Sequence, residues 1–281
     1  MSITVFFVVL ASSAIQALWN FGAKKTKVDK IALLTVGFFL NGLVLLPFCW
    51  YFGWFNESQP GWISFAVGSS VAHALYMILL GRAYAIGDIS VVFPVSRGMG
   101  ILGTAIISNM LGFDKTSTLG FVAIFIIISG IVALSSNEIK SGQTKGLTYG
   151  IQVGFAIIFY SLVDSMGAKS MHPVVFVTLL NMGAAIVCSF YLMAARKGAL
   201  TETLTKHWWP SFYISSGGTL SYGLILWAFQ KAPVSYVIAQ REFSIVIAAF
   251  LGWKFLGEKF SGYKVASVVL ICLGVFALKL V

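Results

Sequence analysis

Gly22-Ala23-Lys24 recurs 145 residues later as Gly167-Ala168-Lys169, and this duplication decides the predicted fold. The same offset carries Leu111-Gly112 onto Leu256-Gly257, so one shift serves from the first apolar segment to the last. If each copy crosses a membrane an odd number of times, the second copy inserts with the opposite orientation. Many secondary transporters build two interchangeable gates around one site from such inverted repeats. The duplication therefore indicates transport before any single residue is considered.

The composition is that of an integral membrane protein. Of the 281 residues, 58% are hydrophobic and 10% charged, and the mean hydropathy is +0.91. About 20 apolar residues span the hydrocarbon core of a bilayer. Ten such runs can be read, at roughly 2–22, 31–53, 62–81, 88–110, 118–136, 146–168, 173–195, 208–230, 234–256 and 261–280. The sequence predicts an all-α integral membrane fold of ten transmembrane helices, arranged as two inverted five-helix repeats over residues 1–139 and 140–281.

The net charge of +10 is explained by topology and not by nucleic-acid binding. Most of the 19 Lys and Arg residues lie in the odd-numbered loops between the predicted helices. Loops on the cytoplasmic side are enriched in Lys and Arg. We therefore expect the odd loops inside the cell and both termini outside, in a multi-pass protein of a bacterial inner (plasma) membrane.

The sequence does not favour an enzyme or a cofactor-binding protein. Gly98-Met-Gly100-Ile-Leu-Gly103 spells the dinucleotide fingerprint, but it lies within an apolar segment and not in the strand–turn–helix unit that the fingerprint requires. The chain also lacks a phosphate-loop motif, a His/Cys/carboxylate cluster and a nucleophile elbow. We expect no cofactor and no metal.

A stripe of small residues, Gly146, Gly150 and Gly154, lies along the predicted helix 146–168. Such stripes allow two helix backbones to approach closely. The contact is either within a monomer, which we favour, or between the subunits of a homodimer.

Four charged residues stand out inside predicted helices, and three of them are Arg97, Arg241 and Glu242. Arg97 follows Pro94 in the segment 88–110, and Arg241 and Glu242 lie eight or nine residues into the segment 234–256. Because charges within a membrane are costly, such residues usually face a cavity or a partner. The 145-residue offset pairs Arg97 with Glu242, which predicts that the two approach each other. Either they form a structural ion pair, which leaves Arg241 as an uncompensated cation for an anionic ligand, or all three bind substrate.

Polar stripes mark further residues as candidates for lining a central cavity. Asp164 and Tyr160 share a face of the helix 146–168, and Asp164 is either a receptor for a substrate amine or an interfacial charge near Lys169. The segment 2–22 carries its own stripe, for which hydrogen bonding between helices is the alternative. The candidates on that segment and on 234–256 are Gln16, Asn20 and Trp19, and Tyr236 and Gln240.

His73, near the middle of the segment 62–81, is a candidate proton carrier because the imidazole titrates near neutrality. A packed or hydrogen-bonded histidine is the alternative. His172 and His207 lie at loop edges and form no metal set with it.

Several short motifs resemble those of a known transporter superfamily. They are Ala17-Leu-Trp-Asn-Phe-Gly22, Gly-Asp-Ile-Ser-Val-Val-Phe-Pro (87–94), Ala232-Pro-Val-Ser-Tyr-Val-Ile, Leu256-Gly-Glu-Lys-Phe and Gly262. With the duplication, they make the whole chain similar to the EamA type of the drug/metabolite transporter superfamily. That resemblance implies ten helices, a central cavity between the halves, and alternating access without ATP. It also implies termini in the cytoplasm, opposite to the charge count.

Two narrower likenesses concern the substrate. Arg241 lies about where the organophosphate translocators of the superfamily carry a basic pair, although the first position is Gln240 here. Trp19-Asn20 and Gly87-Asp88 resemble motifs of a bacterial branch often associated with phosphonate use.

Three functional hypotheses follow. The first is a secondary carrier of a small zwitterionic or anionic metabolite, such as an amino acid or aminophosphonate, with protons as a candidate coupling ion. In it, Arg241 binds the acidic group and Asp164 or Glu242 the amine. The second is an exporter of hydrophobic amines or drugs. The third is a non-transporting or lipid-moving subunit of a membrane complex.

Overall fold

The computed structural model describes residues 1–86, 89–135, 144–256 and 262–281, and all regular secondary structure in these ranges is helical. The predicted boundary at 139/140, the Gly87-Asp88 motif and the residues 257–260 lie outside these described residues. A 3₁₀ turn at Trp54–Glu57 follows α2. The helices are α1 (Ile3–Lys25), α2 (Lys30–Tyr51), α3 (Trp62–Ile86), α4 (Ile89–Met110), α5 (Thr118–Ser135), α6 (Thr144–Gly167), α7 (Pro173–Ala195), α8 (Ala199–Lys206), α9 (Trp208–Phe229), α10 (Val234–Arg241), α11 (Phe243–Leu256) and α12 (Gly262–Ala277).

Most of these helices belong to stretches that are long and apolar enough to cross a membrane. In the described residues, seven stretches are long and apolar enough to do so, and they include the α10–α11 run Val234–Phe255. Shorter apolar helices lie at Thr118–Leu134 and Gly262–Ala277. The predicted all-α, multi-pass membrane architecture is therefore confirmed.

Local sequence explains where several helices begin. Ser2 caps α1 by accepting a hydrogen bond from the Val5 N–H at 3.3 Å. Asp29 caps α2 by accepting from the N–H groups of Ile31 and Ala32 at 2.9 and 3.0 Å. Side-chain caps of this kind satisfy the free N–H groups of a first helical turn. The loops between the spans thus set the register of the helices that hold the polar residues.

Helix packing follows a paired pattern. α6 packs against α3 and α4, and α1 packs in the same way against α9 and the α10–α11 run. α7 lies against α3, and its counterpart contact is between α2 and α9. α5 packs on α12, and α2 on α7. Each of these contacts between a helix of the first half and a helix of the second half is therefore matched by the equivalent contact with the two halves exchanged.

Glycines on α6 allow this helix to approach α4 closely. A Cβ atom added at Gly150 would lie 2.9 Å from the Cβ atom of Val95, and one added at Gly154 would lie 2.9 Å from that of Met99. Both neighbours belong to α4, so the small-residue stripe of α6 packs inside the monomer, as favoured from the sequence. No lateral dimer is required to explain these glycines.

The segment 234–256 differs from its prediction as one continuous helix. α10 ends at Arg241, Glu242 forms a turn, and α11 starts at Phe243. The Glu242 N–H donates to the Ala239 carbonyl at 3.2 Å, and the Ile245 N–H donates to the Glu242 carbonyl at 2.9 Å. These i-to-i−3 bonds tighten the backbone at the two charged residues. Glu242 keeps right-handed helical backbone angles (φ −66°, ψ −8°), so the run is tightened at this turn and not unwound.

Candidate substrate site

Asp164 is the centre of a buried polar cluster. Its side chain has no exposed surface, and its Oδ2 accepts hydrogen bonds from the Tyr222 hydroxyl and, at 2.8 Å, pairs with Nε2 of His73. Its Oδ1 has no hydrogen-bond partner among the described residues. The alternative that Asp164 is an interfacial charge near Lys169 is wrong, because the carboxylate is enclosed by α3, α6 and α9.

Aromatic rings enclose the imidazole of His73. Its ring centre lies 4.4 Å from that of Tyr160 and 5.0 Å from that of Tyr222. Tyr76 packs edge-on against Tyr160 at 5.3 Å. His73 itself keeps 14% of its side chain exposed, whereas Asp164 keeps none. His73 is therefore the more accessible member of the pair.

Arg241 lies beside this cluster at the end of α10. Its Cζ lies 5.2 Å from the centre of the Tyr222 ring, and its Nη2 donates to Gln16 Oε1 at 3.2 Å. Its Nε is buried without a hydrogen-bond partner. Within the part of the chain that the structure describes, the ion pairs include none between Arg241 and a carboxylate. Arg241 is thus a positioned cation with donor capacity to spare.

Arg97 and Glu242 form the second charged contact of the site. Arg97 Nη1 lies 3.4 Å from Glu242 Oε1, and the side chains are 20% and 3% exposed. The ion pair expected from the duplication is therefore present. Glu242 follows Arg241 directly at the helix break, so the two charged contacts are neighbours. Tyr222 contacts both Asp164 and Arg241, and Glu242 follows Arg241 in the chain, so these charges lie close together.

Four predicted residues lie outside this cluster. Tyr236 accepts a hydrogen bond from the Ser117 N–H at 3.0 Å, at the start of α5. Gln240 is fully buried and donates through Nε2 to the Phe6 carbonyl at 2.7 Å. Both side chains therefore connect α10 to neighbouring helices.

The other two are on α1. Asn20 is exposed and donates to the Gln16 carbonyl of its own helix at 2.8 Å. Trp19 packs against the backbone of α9 at Gly217 and Gly218. Of the predicted stripe on this helix, only Gln16 reaches the charged cluster.

Tyr222 is the residue of this site that sequence reasoning missed. It connects the two functional groups, since its hydroxyl donates to Asp164 and its ring lies beneath Arg241. The sequence does place Tyr222 within an apolar span, where a tyrosine hydroxyl needs a hydrogen-bond partner, and this could have marked it as a candidate. A search for partners of the two intramembrane charges could have found it.

Comparison with known proteins identifies the second half of the chain. Residues 144–280 match the sequence model of the EamA-like transporter family. Among solved structures, 28 chains match the fold. One crystal structure, described only as that of a protein, superposes with a TM-score of 0.78 over 99% of this chain and 96% of that chain. At 13% identity, that likeness shows the fold alone. Comparison with the curated proteins gives no significant match.

Proposed function

We propose that the chain, whose residues 144–280 match the EamA-like transporter family of the drug/metabolite transporter superfamily, is a secondary carrier of a small zwitterionic or anionic metabolite. Amino acids and aminophosphonates are the substrate classes that fit best. The observation that supports this choice is the state of Arg241, a cation within the helix bundle whose Nε is buried and unpartnered. The guanidinium already donates to Gln16 and lies over the Tyr222 ring, but none of the ion pairs among the described residues gives it a carboxylate. An acidic substrate group would supply that negative charge.

The surroundings of Arg241 suit this role. The guanidinium group is held from one side by Gln16 and from below by the Tyr222 ring. A planar guanidinium binds a carboxylate or phosphonate through two parallel hydrogen bonds. An oriented fork is thus available to the acidic end of a substrate.

Glu242 is the proposed receptor for a substrate amine. It is adjacent to Arg241 in the chain, and its contact with Arg97 is a long one at 3.4 Å. Asp164 is a poorer receptor, because one of its oxygens already has two partners. An exporter of hydrophobic amines would need a free carboxylate beside a neutralised arginine. Among the described residues no carboxylate forms an ion pair with Arg241, and this favours a ligand that carries an acidic group.

Alternating access between two inverted five-helix repeats, residues 1–139 and 140–281, completes the proposal. Its support is the packing pattern, in which α1 contacts α9 and α11 as α6 contacts α3 and α4. Exchange of the two repeat conformations would loosen one set of contacts while it tightens the other. The charged cluster lies where α1, α3, α4, α6, α9 and α10 meet, so both conformations would act on it.

Ligand-dependent stability of the detergent-purified protein tests this function. The probes are L-alanine, 2-aminoethylphosphonate and a hydrophobic amine, and the variants are Arg241→Ala and Lys231→Ala. Lys231 is a matched control, since it also lies 5.2 Å from an aromatic ring centre, that of Trp227, but at an exposed helix end. A ligand at 100 times its Kd stabilises the folded state by about 2.7 kcal/mol. We expect the amino acid or aminophosphonate to raise the melting temperature in wild type and Lys231→Ala but not in Arg241→Ala. Stabilisation by the hydrophobic amine alone would contradict the proposal.

A further inference from the structure

The pair of His73 and Asp164 is a second chemical group that anion binding at Arg241 does not use. Asp164 is completely buried, yet its Oδ1 has no donor among the described residues. Its Oδ2 pairs with His73 Nε2 at 2.8 Å. A buried carboxylate with one unsatisfied oxygen is costly unless a charge or a proton compensates it. The pair is therefore arranged to take up a proton.

The charges around Asp164 show when that proton is needed. The groups that face it are His73 and Tyr222 from α3 and α9, Tyr160 from its own helix, and Arg241 and the Arg97–Glu242 pair from α10 and α4. With His73 and the tyrosines neutral, Arg241 balances Asp164 and the other pair balances itself. A zwitterion such as L-alanine leaves this sum unchanged, because its carboxylate meets Arg241 and its ammonium meets Glu242. A phosphonate that arrives as a dianion adds one negative charge, and one proton held between the imidazole of His73 and the carboxylate of Asp164 restores neutrality.

Tyr222 provides a physical connection between the two sites. Its hydroxyl donates to Asp164 Oδ2, while its ring supports Arg241 at 5.2 Å. A proton on the Asp164 carboxylate removes its negative charge and so weakens the hydrogen bond that it accepts from the Tyr222 hydroxyl. A ligand on Arg241 changes the charge above the Tyr222 ring. Binding of a proton at Asp164 and binding of a ligand at Arg241 therefore affect each other through the side chain of Tyr222.

The fold itself does not require this cluster. At the 145-residue offset, Asp164 corresponds to Trp19 and His73 to Gly218. Trp19 packs over Gly218, where an added Cβ atom would lie 3.6 Å from its Cε2. The equivalent contact between α1 and α9 is therefore made by an indole ring on a glycine. The contact between α3 and α6 thus carries a titratable pair that the equivalent contact between α1 and α9 lacks.

We propose that the pair of His73 and Asp164 is the proton-coupling site of the carrier, and that one proton binds there together with the dianionic phosphonate group of a substrate on Arg241. The proton arrives at His73, the partly exposed member of the pair. The only bond that forms is the N–H or O–H bond of the carried proton, and it breaks when the proton leaves with the substrate on the other side. This inference rests on the proposed function, of which it specifies the coupling ion.

Uptake of radiolabelled 2-aminoethylphosphonate into proteoliposomes tests the coupling, with L-alanine as the comparison substrate that adds no net charge. Exchange is measured against the unlabelled compound inside without a gradient. Accumulation is measured in empty vesicles with a gradient of one pH unit, while valinomycin and equal potassium hold the membrane potential at zero. One proton per substrate allows about tenfold accumulation for one pH unit, since 1.36 kcal/mol corresponds to a factor of ten. We expect wild type to show exchange and accumulation of 2-aminoethylphosphonate, and His73→Gln and Asp164→Asn to keep its exchange and lose its accumulation. His172→Gln is the matched control, a histidine that caps α7 and stacks on Trp54, and it should retain both activities.

The outcomes are distinguishable. Exchange of 2-aminoethylphosphonate in wild type with no accumulation, or its full accumulation in His73→Gln, would overturn the coupling site and leave the proposed function standing. Loss of exchange in both variants would make the pair a substrate-binding element and also overturn the coupling role. No exchange of either probe by wild type would count against the proposed function itself. As a second measurement, calorimetry in buffers of different ionisation enthalpy should show about one proton taken up per bound 2-aminoethylphosphonate dianion in wild type and none in Asp164→Asn.

Discussion

Arg97 and Glu242 are separated by the 145 residues that relate the two halves of the chain, and their side chains contact each other at 3.4 Å. A residue contacts its own counterpart in a duplicated structure only near the axis that relates the copies. The opposite signs of the two charges turn this contact into an ion pair. The pair connects α4 to the helix break after α10 and fixes the backbone that presents Arg241.

Reversal of either charge in this pair should destabilise the protein. Arg97→Glu or Glu242→Arg places like charges in contact within the bundle, and we expect a loss of about 1–3 kcal/mol in the free energy of unfolding. The double reversal should recover most of that loss. Thermal unfolding in detergent measures all three variants.

The control for this series is an exposed ion pair. Lys206 and Glu202 lie 3.7 Å apart on α8 with more than half of each side chain exposed. Exposed pairs contribute about 0–1 kcal/mol, so their reversal should leave the melting temperature almost unchanged. Equal effects in the two pairs would show that the Arg97–Glu242 contact has no special structural role.

The contact between α5 and α12 should not tolerate a larger residue. A Cβ atom at Gly274 would lie 2.8 Å from the Ala123 carbonyl oxygen, and the backbone there cannot yield easily. We expect Gly274→Ala to cost about 1–3 kcal/mol through overpacking. Gly262→Ala at the start of the same helix meets no atom within 4 Å and should be neutral in the same unfolding measurement. Wild-type stability in Gly274→Ala would show that the two helices pack less closely than described.

Asp114 should stabilise α10 from outside that helix. It is buried, and its Oδ2 accepts from the Ser235 N–H at 3.0 Å in the first turn of α10. Loss of a capping side chain costs typically about 1 kcal/mol. Asp114→Ala should therefore lower the melting temperature, and Asp114→Asn, which keeps an acceptor oxygen, should lower it less. An equal loss in both variants would indicate that the negative charge and not the cap is what matters.

Arg241→Lys should separate charge from geometry at the proposed substrate site. Lysine keeps the positive charge but cannot form two parallel hydrogen bonds to one acidic group. We expect the Kd for an amino acid or aminophosphonate, measured by calorimetry, to rise at least about tenfold, which corresponds to about 1.4 kcal/mol. An unchanged Kd would mean that only the charge of Arg241 is used.

The sequence was sufficient for the all-helical, multi-pass membrane class and for the contact between Arg97 and Glu242, whereas seven of the ten predicted spans are long and apolar enough to cross a membrane in the described residues. Hydrophobic runs predicted the spans because a bilayer admits few structures other than helices. The duplication predicted the Arg97–Glu242 contact because it relates positions that are far apart in the chain. The break at Glu242 was missed, since neither glycine nor proline occurs there and the surrounding helices determine it.

The sequence was less informative about which side chains share the site. Spacing along α10 placed Tyr236, Gln240 and Arg241 near one another, yet Tyr236 bonds to the start of α5 and Gln240 to α1. Periodicity defines one face of a helix but not the neighbour that this face meets. Tyr222 was not predicted for the same reason, because its partners Asp164 and Arg241 lie on two other helices, α6 and α10. Only the packing of several helices could reveal that contact.

The most direct test is exchange of radiolabelled 2-aminoethylphosphonate or L-alanine by proteoliposomes that contain wild type or Arg241→Ala. Both proteins should first show comparable melting temperatures, so that loss of fold does not enter the comparison. We predict exchange of at least one probe by wild type and by the Lys231→Ala control, with a loss of about a hundredfold or more in Arg241→Ala, since a charge-assisted, bidentate contact contributes about 3 kcal/mol. Exchange by a folded Arg241→Ala protein at the wild-type rate would contradict the assignment of Arg241 as the anion-binding residue.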